Sequence, residues 1–200
     1  MHPLRLMVYD RTAGSLARAW WGGAKLYRGL GRLDAARGCA SWAEALEWLG
    51  TYGAPARIAE VQVWCHGLWG LALMDRERLD RAALCRDHRF HAALSTLRER
   101  LAGAESLLWF RTCETFGAER GQQFATAVAE FLRARVAGHT HVIGFWQSGL
   151  HSLAPGQQPS WSPAEGVLEG TPENPRRALA SSPSAPHTIS ALHGRIPADW

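Results

Sequence analysis

The 200-residue chain has no long apolar run. None approaches the ~18 residues needed to cross a bilayer, so no membrane partner is expected. The N-terminal "MHPLRLMVYDRT" offers an apolar core of a few residues and no small-residue cleavage site, too little for a secretory leader. Cysteine is scarce: Cys39, Cys65, Cys85 and Cys113 are widely spaced, with no CxxC pair. That argues against an exported disulfide scaffold and for free thiols in a reducing, cytoplasmic setting. Basic runs are missing too. The net charge is +4, but the arginines are spread along the chain, so no nucleic-acid partner is expected.

What is present fits one domain with a substantial core: 46% of residues are apolar and 20% charged. Ten tryptophans are scattered without a repeat period. They read either as large core side chains or, for a few, as the lining of a groove for an extended ligand.

"LRLMVY" (4–9) reads as a strand buried on both faces. "SLARAWW" follows as a short helix and "GGAKLYRG" as a short strand. In "SWAEALEWLGTYG" (41–53), Ser41 can cap a helix with Glu44 as its capping-box partner. "IAEVQVWCHG" (58–67) and "SLLWFRTC" (106–113) are strong strands, separated by a helical stretch at 91–103. "RGQQFATAVAEFLRARVAG" (120–138) reads as one long amphipathic helix and "HTHVIGFWQSG" (139–149) as a fourth strong strand. Strands alternating with helices imply an α/β three-layer sandwich around a mainly parallel sheet, occupying residues 1–150. Residues 151–200, rich in proline, serine and glycine, read as an irregular wrap over that body. Trp161, "ISALHG" and Trp200 serve as its anchors.

Ligands of open α/β sheets bind beyond the carboxyl ends of the strands. The residues expected there are Asp10 and Arg11, His66 and Gly67, Arg111 to Glu114, and Gln147 to Gly149. One familiar reacting couple stands among them, His66 and Cys113. A free thiol is mostly protonated at neutral pH, and an imidazole can take its proton and later protonate a leaving amine. The backbone N–H groups of Gly67 and Cys113 can donate to an oxyanion.

"VWCHG" and "FRTCETFG" stand 47 residues apart, counted from His66 to Cys113. Their order, spacing and strand-end setting resemble caspase-like cysteine peptidases of bacterial type, and the Cys-Glu pair is similar to the legumain kind. The likeness covers roughly residues 4–149. It implies an endopeptidase with Cys113 as nucleophile and His66 as base and acid. No cofactor and no metal are implied, the partner is a polypeptide substrate, and an activating or regulated protein partner is compatible with it. In that family the residue two before the cysteine helps line the pocket, and here it is Arg111, where caspases carry glutamine. Arg11 is similar in place to a caspase pocket arginine. A buried guanidinium pairs bidentately with a carboxylate, so cleavage after an acidic residue is one expectation. The other is that Arg111 turns away and pairs with Asp10 or Glu114. Glu114 and Gln147 complete the expected substrate-binding set.

Other residues read as structural. Cys65 should point to the opposite strand face from His66. Cys85, His88 and His91 lack a fourth ligand for zinc and read as surface. His139 and His141 are placed near the start of the fourth strand, away from the dyad. His151 and the tail are read as a possible substrate wall. The alternative to an enzyme is a catalytically silent module that binds a peptide along the same groove.

Overall fold

In the computed structural model, which describes residues 2–197 and Trp200, alternation of apolar side chains builds a sheet with two covered faces. Along the chain, β1 (Leu4–Asp10) leads to α1 (Ser15–Gly29), β2 (Ala35–Cys39), α2 (Trp42–Thr51) and β3 (Ile58–Trp64). Three short strands follow, β4 (His66–Leu68), β5 (Leu71–Met74) and β6 (Glu77–Leu79), then α3 (His91–Arg100) and β7 (Leu107–Phe110). The remainder is α4 (Ala118–Leu132), β8 (Arg135–His139), β9 (Trp146–Gln147), β10 (Leu150–Leu153), β11 (Val167–Gly170), β12 (Pro175–Ala178) and β13 (Ile189–Ser190).

The central sheet has the order β10-β8-β7-β3-β1-β2. Its first five strands in sequence run parallel and β10 pairs antiparallel with β8 at the edge. Residues two apart share a face. Leu6 and Val8, Val61 and Val63, Leu108 and Phe110, and Val136 form one core with Trp42, Leu46, Leu94, Phe124 and Val128 of α2, α3 and α4. Met7 and Trp64 point to the other face, where they meet Ala24 and Tyr27 of α1. Trp109 and Ala137 on that face are covered by Leu150 and by Ile189 of the C-terminal segment. This gives the expected α/β layering.

The boundaries depart from expectation in five places. "GGAKLYRG" is not a strand but the second half of α1, because burying Ala24 and Tyr27 outweighs the helix cost of Gly22 and Gly23. A Cβ on Gly23 would lie 2.8 Å from the Trp64 ring, so this glycine lets the helix close on the sheet. "AARGC", poor in strand formers, becomes β2 because β1 offers it a parallel edge. The helix expected over 120–138 stops at Leu132, with Arg133 in the left-handed region as its cap, and the next residues form β8. The strand expected at 139–149 is therefore a loop carrying β9. Residues from 150 onward do not start as a wrap, since β10 completes the sheet before the chain turns into the β11–β12 hairpin.

Local signals held elsewhere. The Ser41 hydroxyl accepts the Glu44 N–H at 3.1 Å, and the Glu44 carboxylate reaches back to the Ala40 N–H at 2.9 Å. Arg100, buried at the end of α3, donates to the carbonyls of Gly50, Tyr52 and Ala56 and so seals the C-terminus of α2.

Candidate functional site

Two neighbouring strand ends, those of β3 and β7, open on one cleft of about 390 Å³. β3 ends at Trp64 rather than continuing to Gly67, and His66 and Gly67 open the β4–β5–β6 meander just past it. Alternation sends Cys65 into the core and leaves Trp64 and His66 on the α1 side. On β7 the same alternation carries Trp109, Arg111 and Cys113 to that side. His66 and Cys113 both line the cleft.

The meander is bolted to the cysteine loop. A Cβ on Gly67 would fall inside contact distance of the Cys113 carbonyl oxygen and the Thr115 hydroxyl, and 2.9 Å from Thr112 Cβ. Only glycine lets β4 sit so close to residues 112–115. The Thr115 hydroxyl lies 2.5 Å from that of Thr112 and 3.3 Å from the Leu71 carbonyl, and Gly70 donates its N–H to the Thr115 carbonyl. Glu114, directly after the cysteine, adopts φ 43°, and Ala118 φ 59°. Left-handed backbone at non-glycine residues is costly and tends to cluster where geometry serves function.

Cys113 is partly buried, and its sulfur lies 3.8 Å from the Ile143 carbonyl oxygen. Burial pushes its thiol pKa up and the neighbouring Glu114 adds to the rise, against a backbone hydrogen bond from Ile143. The resting thiol is thus overwhelmingly protonated at neutral pH. Among the described residues no backbone carbonyl accepts the Cys113 N–H, which faces its own sulfur. The His66 ring is exposed and packs edge-on against Trp20 at 5.8 Å. Among the described residues no hydrogen bond joins it to Cys113 or to an orienting acceptor.

Arg111 forms the floor, 3% exposed, yet pairs with neither Asp10 nor Glu114. Its Nε and Nη2 donate to the Gln147 side-chain oxygen at 3.0 and 2.7 Å. Nη1 donates to the Tyr27 hydroxyl at 2.5 Å and to the His193 carbonyl at 3.1 Å, and Nη2 to the Ala191 carbonyl at 3.3 Å. The guanidinium also faces the Trp64 and Trp109 rings, at 4.7 and 4.5 Å. Gln147 thus enters the site from β9 as a partner of Arg111, not from the end of a strong strand.

Two expected substrate-binding residues are elsewhere. Arg11 leaves β1 exposed and pairs with Glu44 of α2 at 3.3 Å, outside the cleft lining. Glu114 is buried below the loop, where burial raises its carboxyl pKa and Oε2 has no hydrogen-bond partner among the described residues. Asp10 accepts from the Thr12 N–H at 2.7 Å and the Asp75 N–H at 3.1 Å, tying the meander to β1.

The histidines are also redistributed. His139 ends β8 on the cleft side of the sheet, because the strand runs over 135–139 instead of beginning there. Burial, reinforced by the Arg111 charge, pushes its imidazole down to about 3. His151 does not line the cleft. It pairs with Glu165 at 2.7 Å and stacks on Trp161. His88 and His91 make local backbone contacts, and Cys85 is exposed. Among the described residues no group of three or more His, Cys, Asp or Glu side chains is placed to hold a metal ion.

The cleft's other walls were not read from the sequence. Trp64 was accessible to the same alternation that sorted Cys65 from His66. Tyr27 and Trp20 come from α1, Ile143 and Phe145 from a loop, and Ala191 and Leu192 from the tail, and no local signal marks them. Tyr27 holds the tail, its hydroxyl 2.8 and 2.6 Å from the carbonyl oxygens of Ala191 and His193. Five of the ten tryptophans are buried, and two, Trp20 and Trp64, line the cleft. No helix among the described residues is long and apolar enough to cross a membrane. Comparison of the chain with family models, with curated proteins and with solved structures finds no match.

Proposed function

We propose that the chain is a caspase-like cysteine endopeptidase, and that His66 and Cys113 are its dyad. One observation carries this reading: both side chains, delivered past the ends of adjacent parallel strands, line a single open cleft. Because burial keeps the thiol protonated, His66 acts as a general base during attack instead of holding a ready-made ion pair. It takes the Cys113 proton as sulfur bonds to the substrate carbonyl carbon, and the Cys113 N–H receives the oxyanion; Gly67, expected beside it, is instead buried against residues 112–115 and outside the cleft lining. The imidazolium then protonates the departing amine as the C–N bond breaks. Water, deprotonated by His66, cleaves the thioester, releasing the carboxylic acid and restoring the thiol. The substrate is a polypeptide, and a reducing cytoplasm suits a free nucleophilic thiol.

Replacing Cys113 by alanine should abolish peptide cleavage, and His66→Ala should reduce it by at least about a hundredfold. Each is scored on a peptide-library digest against the parent chain. Full activity in Cys113→Ala would remove the assignment.

The second reading is a silent peptide-binding module. The raised thiol pKa and the lack of a hydrogen bond between His66 and Cys113 favour it. Such contacts often tighten only when substrate is bound, which keeps the enzyme reading ahead. A module of this kind would bind peptides with Cys113 intact and cut none of them.

A further inference from the structure

Resting on the peptidase reading above, we infer that the cleft selects an uncharged, large apolar side chain of its polypeptide ligand and that Arg111 is a clasp for the C-terminal segment. The obvious alternative is that Arg111 waits for a substrate carboxylate. Its hydrogen bonding argues otherwise. A guanidinium has five N–H donors, and each has an acceptor: Gln147 takes two, the Tyr27 hydroxyl one, and the carbonyls of His193 and Ala191 the others. A carboxylate entering the cleft would have to displace this set. It would then lie against apolar walls with no free donor from the floor, and a buried unpaired charge is among the costliest arrangements in a protein. The positive floor equally repels a lysine or arginine side chain.

An apolar side chain meets none of these obstacles. The walls it would touch are Leu16 and Leu26 of α1, Trp64 of β3, Ile143 and Phe145 of the loop, and Leu192 of the tail. Leu16, Leu26, Phe145 and Leu192 are between 43% and 57% exposed, so this rim already faces water and gains from being covered. Arg111 is the one Lys, Arg, Asp or Glu in the lining among the described residues, and its charge sits beneath aromatic rings. Arg111 acts through its partners. By holding the carbonyls of residues 191 and 193 it presents Leu192 as a wall, which makes it a positioning residue.

The test uses dye-labelled peptides identical except at the residue before the scissile bond, which is Phe, Leu, Asp or Lys. Each is titrated against the full-length Cys113→Ala chain, which cannot turn it over, and followed by fluorescence polarisation. Phe and Leu peptides should bind at least about tenfold tighter than Asp or Lys peptides. Ala19→Phe, at an exposed α1 position lining the cleft, should erase that margin by filling the space. Tighter binding of the Asp peptide, or equal binding of all four, would overturn the inference. The same peptides given to the parent chain report separately on catalysis. If none is cut, the peptidase reading fails while an apolar-over-acidic binding order still upholds the selectivity of the cleft.

Discussion

Replacement of Gly67 by alanine probes the closest approach in the candidate site. The new methyl would start 2.9 Å from Thr112 Cβ, and nearer still to the Cys113 carbonyl and the Thr115 hydroxyl. Carbon atoms rest at about 3.5–4.0 Å, so the β4–β5 hairpin and the cysteine loop must part by roughly an ångström. Neither side is a flexible side-chain end. The loop is pinned by the Glu114 N–H to the His141 carbonyl and by the Phe116 N–H to the His139 carbonyl. Overpacking of this kind costs about 1–3 kcal/mol, read as a lowered urea midpoint with unchanged slope. An ångström between base and nucleophile should also lower kcat/KM by about a hundredfold. Gly22→Ala is the matched control. Nothing lies within 4 Å of its added methyl, and in mid-helix it should stabilise by about 0.5–1 kcal/mol. A Gly67→Ala protein with parental stability and parental cleavage would refute the claim that close approach of β4 assembles the site.

His139 should make the fold acid-sensitive. Its folded-state pKa, depressed to about 3, lies below the ordinary 6.5, so the unfolded chain binds the extra proton. Stability from this group is complete above pH 6.5 and falls as pH drops towards 3, by up to about 1.4 kcal/mol per pH unit. Chemical denaturation across that range should show a shallower slope in His139→Gln, and an unchanged slope would contradict the assignment. Arg100→Met leaves the carbonyls of Gly50, Tyr52 and Ala56 without their donor and should cost about 3 kcal/mol, read by calorimetry.

Much of this architecture was legible because it depends on short-range periodicity. Leu6 with Val8, Val61 with Val63, and Leu108 with Phe110 alternate, and they became the buried face of the sheet. The capping pair Ser41 and Glu44 needed only each other and the adjacent backbone. His66 and Cys113 reach one cleft because strand ends in a parallel sheet lie side by side whatever the intervening chain does. The end of α4 has no sequence signal, because its stop is Arg133 in a left-handed conformation and no glycine marks it. With the helix ending there, His139 closes β8 instead of opening a strand.

Local pattern alone places the parallel strands β1, β3 and β7, the helices packed on them, and His66 and Cys113 past the ends of neighbouring strands. Each follows from apolar periods two or three to four residues long and from the rule that parallel strands share a carboxyl edge. What that edge encloses depends on contacts between distant parts of the chain. Arg111 looks like a free cation in the sequence because its acceptors, Tyr27, Gln147, Ala191 and His193, come from three other regions of the chain. Arg11 looks like a pocket residue until α2 brings Glu44 beside it. A guanidinium binds whatever acceptor the fold brings within reach, and that choice is made by packing over long sequence separations.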